Sequence, residues 1–276
     1  TARDHRLRVL FPTPIAADTV MVDGHFGFIE RPCDPPPPKG EMPPYPTQHQ
    51  KRFASIHEGG TGFAVINAGL PEVEVFQGGQ GRTIALTLFR AVDWLSRDDL
   101  NTRPGHTGPT VMTPSAQCLR SMEFSYAFMA HAGEISAVMS EALQHNVPCL
   151  TGRCDVHGGT EPKMIGTFKK DTFLCGQPFN PVPREGVLPG RGSLIDLGGG
   201  LILSAVKKCE SRDTLIVRVY NPYPDSVRGT LTAFRPLRGA CITNLNEERQ
   251  ETLLVSGNSL SIACDAYKIL TLELEL

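Results

Sequence analysis

Two carboxylates at alternate positions form the first pair in this chain that could do chemistry. Glu72 and Glu74 lie in an extended segment. Residues i and i+2 of a strand project from one face, about 7 Å apart. That separation falls within the ~6.5–9.5 Å of acid and base carboxyls in inverting glycosidases. The plainer reading is a solvated strand face, and it is favoured, because half-exposed strands carry such alternation. Asp98-Asp99 reads as a turn or a helix cap. Cys154-Asp-Val-His157, with Cys149 and Cys175 nearby, gathers metal-binding residue types. Its spacing matches no standard zinc pattern. Gly78-Gly-Gln-Gly81 lies between strands, without the strand-to-helix setting of a phosphate loop. The sequence has no Gly-x-Ser-x-Gly elbow, P-loop or His-Glu-x-x-His motif.

Four more side chains are candidates for a cleft or a contact between domains: Asn67, Arg82, Arg90 and His131. Asn67 is a turn former by default and a polar contact to sugar or to a second domain by hypothesis. His131 follows a predicted strand and precedes a predicted helix, as a structural histidine or as a hydrogen-bonding group in a cleft. Arg82 and Arg90 bound the most regular strand of the chain. Ile84, Leu86 and Leu88 alternate with Thr83, Ala85, Thr87 and Phe89, and Arg90 continues the first face. A guanidinium at the end of an apolar face must reach water or a partner. Arg90 therefore marks where the strand leaves the core.

The elements that must hold these residues are mostly strands. Alternation predicts strands over 5–11, 52–56, 62–67 and 73–76, and one over 19–29 broken into a hairpin at Asp23-Gly24. In the first, Leu7, Val9 and Phe11 face one way and Arg6 and Arg8 the other. Phe124, Tyr126 and Phe128 line one face of a further strand. Residues 134–145 carry Ile135, Val138, Met139, Ala142 and Leu143 at helical spacing, with Pro148 beyond them. Residues 151–193 are rich in Gly and Pro, with short strands expected at 164–168 and 173–175. A second series follows at 201–206, 214–220, 227–234, 260–264 and 267–276. In the last of these, Leu270, Leu272, Leu274 and Leu276 alternate with Thr271, Glu273 and Glu275. The proline-rich stretch 34–46 favours extended geometry, as a stiff loop or as a ligand for a partner's groove.

Composition narrows the function classes. The chain has 276 residues, 40% hydrophobic and 20% charged, with a formal net charge of −2. A near-neutral chain without a basic tract argues against nucleic acid as a partner. No apolar run approaches the ~20 residues of a membrane span, so no membrane partner is expected. Eight cysteines are spread without a framework spacing. Reduced thiols and a cytoplasmic location are the expectation. The opening Thr1-Ala2-Arg3-Asp4 leads directly into a strand and reads as the interior of a longer polypeptide.

Several blocks, in order, resemble one family. They are residues 3–13, Val20-Met-Val-Asp-Gly-His-Phe26, Phe63-Ala-Val-Ile-Asn-Ala-Gly-Leu70, Glu72-Val-Glu-Val75, 82–90, and Phe124-Ser-Tyr-Ala-Phe128 with Ala130-His-Ala-Gly-Glu134. This succession resembles the C-terminal β region of glycoside hydrolase family 38, the α-mannosidases and mannosylglycerate hydrolases. Leu203-Ser-Ala-Val-Lys207 and Arg218-Val-Tyr-Asn-Pro222 resemble the small β-sandwich that closes those enzymes. Pro71 stands where many relatives carry an aromatic residue.

The resemblance implies an all-β, mainly antiparallel fold: a galactose-mutarotase-like β-supersandwich with one helix over 1–193, its first part missing, then a small C-terminal β-sandwich over 194–276. It implies that zinc, an aspartate nucleophile and an acid/base residue lie in an N-terminal catalytic domain outside these residues, cleaving α-mannosidic bonds with retention. The fragment itself would then hold no cofactor and no catalytic residue. Its partners would be that domain and mannose-containing carbohydrate, and open sheet edges would favour homo-oligomers. Two other readings are a free-standing carbohydrate-binding module and a structural adaptor recruited through 34–46. A single tryptophan, Trp94, and five tyrosines speak against the module.

Overall fold

A computed structural model of the protein describes residues 3–36, 45–100, 103–105, 107–150 and 191–276. The Cys154/His157 cluster, the strands expected at 164–168 and 173–175, and the middle of the proline-rich stretch lie outside the described residues.

The first half contains β1 (Arg6–Pro12), β2 (Thr19–Asp23), β3 (Phe28–Pro32), β4 (Thr47–His49), β5 (Phe53–Glu58), β6 (Thr61–Asn67), β7 (Glu72–Gln77), β8 (Arg82–Arg90), β9 (Asp99–Leu100), β10 (Arg103–Pro104), β11 (Tyr126–His131) and the helix α1 (Ile135–Asn146). Two antiparallel sheets form, in the orders β1-β8-β7-β4 and β11-β6-β5-β2-β3. They bury Val73, Val75, Ile84 and Leu86 of one against Val20, Val22, Ile56 and Val65 of the other. β8 is an interior strand, with β1 and β7 on its two edges, and its residues Arg82 to Thr87 are all buried. The predicted hairpin at Asp23-Gly24 joins β2 to β3 through Gly24–Gly27, closed by the Gly24 N–H donating to the Gly27 carbonyl at 2.8 Å.

Two local expectations are corrected. Leu7 is exposed rather than inward with Val9 and Phe11, because the β1–β8 register shifts between Leu7 and Arg8. Such a bulge breaks the alternation of faces. Phe124 precedes β11 instead of lying in it, and stacks on Phe89 with centroids 6.2 Å apart.

Helix α1 covers the outer face of the second sheet. Val138, Met139 and Ala142 bury against Phe28, Phe53, Ala64 and Ile66. This apolar stripe is the one its helical spacing predicts.

The second half contains β12 (Ile195–Leu197), β13 (Ile202–Lys208), β14 (Leu215–Tyr220), β15 (Val227–Ala233), β16 (Gly239–Thr243), β17 (Arg249–Leu253), β18 (Val255–Ser256), β19 (Ser259–Cys264) and β20 (Ile269–Glu275). Its sheets, β12-β15-β19-β18 and β13-β14-β20-β16-β17, close over Val217, Val219, Leu231, Ile262, Leu272 and Leu274. The fold is thus all-β and mainly antiparallel with one α-helix among the described residues. Cys33 is buried in the first sandwich, and Cys209 and Cys264 in the second, all as free thiols.

Tyr220 joins the α1 core, and Ile202 and Tyr223 pack against it, so both halves share one apolar cluster. The β2–β3 tip reaches into this seam. Phe26 meets Tyr220 edge-to-face at 5.3 Å, and Phe28 meets Tyr223 at 5.4 Å. The Phe28 N–H donates to the Pro222 carbonyl at 3.1 Å. Phe26 and Tyr267 both hold left-handed backbone, with φ of 63° and 56°. For L-residues that conformation costs roughly 1–2 kcal/mol each.

Candidate functional site

Neither glutamate of the opening pair is free. Glu74 accepts from Arg8 at 2.6 Å and from Arg6 at 3.4 Å, and Glu72 accepts from Arg6 at 3.2 Å and from the Thr87 hydroxyl at 2.7 Å. The strand order β1-β8-β7 carries arginines of the first strand across β8 to glutamates of the third. What this face does chemically is hold the sheet with a charge ladder. Arg90 stands at its end, 63% exposed, with Glu72 at 3.8 Å. Arg6, Arg8 and Arg90 face only Glu72 and Glu74, so the ladder carries one surplus cation, and Arg90 is the loosest held of the three.

Arg82, at the other end of β8, is buried. Its two terminal nitrogens donate to Asp34 at 2.7 Å each, and its Nε donates to the Ala17 carbonyl at 2.8 Å. This bidentate pair holds the Asp34 carboxyl below the usual carboxylate range.

Asn67 ends β6 and is fully buried. Its Oδ1 accepts from the Leu70 N–H at 2.8 Å, and its Nδ2 donates to Gln50 Oε1 at 2.8 Å. Gln50 returns a bond to the Leu70 carbonyl, and Asn146 of α1 donates to the Asn67 carbonyl at 3.0 Å. The turn after β6 is therefore tied both to the link between β4 and β5 and to the end of α1.

His131 ends β11 with its ring lying over Gly62 of β6. A Cβ on Gly62 would fall 2.2 Å from the ring. The Gly133 N–H donates to Nδ1 at 3.1 Å, so Nε2 carries the proton and donates to the Ser55 hydroxyl at 2.8 Å. Burial first, then His57, pushes the His131 pKa down. With the proton on the nitrogen that faces the hydroxyl, His131 is no base for Ser55, and the pair has no nucleophile chemistry in this arrangement.

The structure scatters these four residues: Arg82 and Arg90 at opposite ends of β8, Asn67 at one end of β6, and His131 opposite Gly62 near the other. Asp99 pairs with Arg97, at 2.8 and 2.6 Å, and no helix begins there. Among the described residues no three of His, Cys, Asp or Glu converge as metal ligands, so these side chains do not fit a zinc site. No helix among them is long and apolar enough to cross a membrane.

The seam holds an arrangement that local sequence reasoning missed. Asp23, ending β2, is buried and accepts from Arg52 at 2.5 and 3.2 Å, and Arg52 donates to the Tyr220 hydroxyl at 3.0 Å. Around the hairpin tip lies an open cavity of about 390 Å³, lined by His25, Phe26, Ile29, Glu30 and Tyr267 among others. Phe26 is 39% and Tyr267 51% exposed. Asp23-Gly24 signals the turn, but nothing local announces that Tyr267, more than 200 residues on, closes the cavity. A second cleft, about 310 Å³, is lined by Trp94, Ser96, Arg97 and Thr110 together with Asp98 and Asp99.

Comparison with known proteins gives consistent matches. Residues 2–100 match the model described as the glycosyl hydrolases family 38 C-terminal domain, and residues 200–272 that of the family 38 C-terminal beta sandwich domain. A protein of Halalkalibacterium halodurans provisionally named a mannosylglycerate hydrolase is 28% identical over 223 residues, covering 80% of this chain and 20% of that protein. The crystal structure of an α-mannosidase from Enterococcus faecalis V583 aligns with a TM-score of 0.69 and 26% identity, over 99% of this chain and 26% of that one. A second Enterococcus faecalis structure, of a protein in glycosyl hydrolase family 38, aligns with a TM-score of 0.68 and 26% identity, over 99% and 27%. The chain thus spans a fifth to about a quarter of the length of these relatives. With both its halves matched to models of one family and its fold found in that family's structures, the chain belongs to glycosyl hydrolase family 38, as its C-terminal β region.

Proposed function

We propose that this chain is the noncatalytic β scaffold of an α-mannosidase-type hydrolase. In this reading a catalytic domain preceding it in the parent protein supplies the zinc, the nucleophile and the acid/base residue, and cleaves α-mannosidic bonds with retention of configuration. The two carboxyls such chemistry needs would come from that domain. The observation that carries the reading is the alignment of 99% of the chain with an α-mannosidase nearly four times its length.

The first sandwich supports a docking role. β1 and β11 are edge strands, and Phe11 of β1 packs on Phe63, Tyr126 and Phe128 at 6.0 to 6.3 Å. Phe128 nonetheless remains 65% exposed, and Leu7 and Leu10 of β1 are exposed as well. In this reading the exposed Phe128, packed beside Phe11 and Phe63, is apolar surface that meets another domain. In the same reading, the surplus guanidinium of Arg90 is a polar contact at that boundary, and the chain walls one side of the substrate cleft.

The test is activity on an aryl α-mannoside with added zinc. The 276-residue chain is expected to show no turnover, and the parent polypeptide to show zinc-dependent turnover. Turnover by the chain alone that is lost on substituting one of its own residues overturns the reading. Phe128→Asp is expected to lower the thermal midpoint of the parent by more than that of the isolated chain, which loses only the Phe11 and Phe63 contacts.

A further inference from the structure

We propose that the cavity at the β2–β3 tip is a carbohydrate subsite that holds one pyranose ring between Phe26 and Tyr267. The proposal goes beyond the scaffold role and draws on it only for the choice of sugar. Both rings stand where the backbone is left-handed, conformations that turns normally give to glycine or asparagine. Two aromatic residues bear that strain on two loops far apart in sequence, and both line the same cavity. Strained backbone of this kind is kept where the side chain has a task.

The rings are held in place from behind. Phe26 sets its edge against Tyr220, whose hydroxyl is fixed by Arg52 at 3.0 Å. Tyr267 rests on Gly27, where an added Cβ would come within 3.0 Å of the ring. Both residues remain partly open to solvent, Tyr267 more than Phe26.

The polar lining fits hydroxyl groups. Glu30 is oriented by the Thr19 hydroxyl at 2.6 Å, and His25 stacks on His49 at 5.2 Å. A sugar presents an apolar C–H face to a ring platform and hydroxyls at its edge to a carboxylate and an imidazole. A phosphate would meet the Glu30 charge instead. Specific sites combine aromatic lining with a few placed polar groups in this way.

The test is titration of the ¹⁵N-labelled chain with methyl α-D-mannopyranoside and with an α-linked mannobiose. Saturable amide shifts are expected at residues 24–30 and 265–268, with a Kd of about 1–10 mM. Tyr267→Gly gives the turn its preferred residue, and Glu30→Gln keeps the shape of the site. Each is expected to weaken binding about tenfold or more, with amide positions outside the two loops unchanged. The proposal is overturned by the absence of saturation up to about 100 mM, by shifts unaffected in Tyr267→Gly, or by binding lost in Trp94→Ala instead. Benzyl alcohol serves as an apolar control, and tighter binding of it than of either glycoside also overturns the proposal. This titration reads no turnover, so its failure is distinct from failure of the scaffold reading.

Discussion

Replacing Asn67 with alanine removes the acceptor of the Leu70 N–H and the donor to Gln50 in a place that water does not reach. Gln50 is itself fully buried and loses the partner of its carbonyl. A buried polar group left unpaired costs about 1–3 kcal/mol, so Asn67→Ala is expected to lose ~2–3 kcal/mol. The check is a lower urea midpoint with an unchanged slope. Carboxylates set the acid limit in the second sandwich. Lys207 first, then the Glu210 N–H, hold Glu247 down to about 2, and Arg249 and Arg212 hold the fully buried Glu273 far below the usual carboxylate range. A carboxyl depressed in the folded state stabilises it above the unfolded value of ~4.3, and that contribution fades as pH falls toward the folded value. Stability is therefore expected to decline from about pH 4 to about pH 2. Arg249→Met removes the largest cause of the Glu273 depression, so it should lower stability at neutral pH and flatten this decline, as read from thermal midpoints against pH. Alternation within 270–276 separates Glu273 from the leucines. It does not reveal that β20 is an interior strand whose second face is also covered, by Arg212, Arg249 and Thr214.

Elements with strong periodicity were legible: β8, α1 and the β2–β3 hairpin follow from spacing and turn chemistry alone. Most strands that escape notice lie at edges or are short, although β16, Gly239–Thr243, is interior between β20 and β17. β4 is the polar tripeptide Thr47–His49, and β17, Arg249–Leu253, is an edge strand with charged residues turned to solvent. Such strands need no apolar alternation, because only one side is paired and little is buried. Nor could spacing show the arginine partners of Glu72 and Glu74, which lie 66 to 68 positions away and meet them only through the order β1-β8-β7. Contact between β6 and β11 depends on a missing side chain, since the His131 ring occupies the space a Cβ on Gly62 would take. Gly62→Ala is expected to eject the ring, break its bond to Ser55 and cost about 2 kcal/mol or more. The measurement is chemical denaturation together with loss of the low His131 pKa in an NMR titration.

Across the whole molecule, the Asp23–Arg52–Tyr220 chain and the cluster around Tyr220 make the two sandwiches one packed body. Arg52→Ala strands a buried Asp23 carboxylate, a loss of about 3–5 kcal/mol. Calorimetry is expected to turn one transition into two, the first sandwich melting earlier. Tyr220→Phe, which keeps the Asp23–Arg52 pair, should cost only about 1 kcal/mol and leave a single transition. The family and the order of sandwiches were legible from the succession of sequence blocks. The seam was not, because its partners come from both ends of the chain.

The buried thiols give each sandwich its own clock. Cys33 is pushed up to about 11 and Cys264 is also raised, in both cases chiefly by burial, so neither reacts as a thiolate until its surroundings open. Alkylation near pH 8, followed by mass spectrometry at these two positions, therefore times the opening of each half separately. Equal rates mean that the halves breathe as one. In Arg52→Ala, labelling at Cys33 is expected to run ahead of labelling at Cys264.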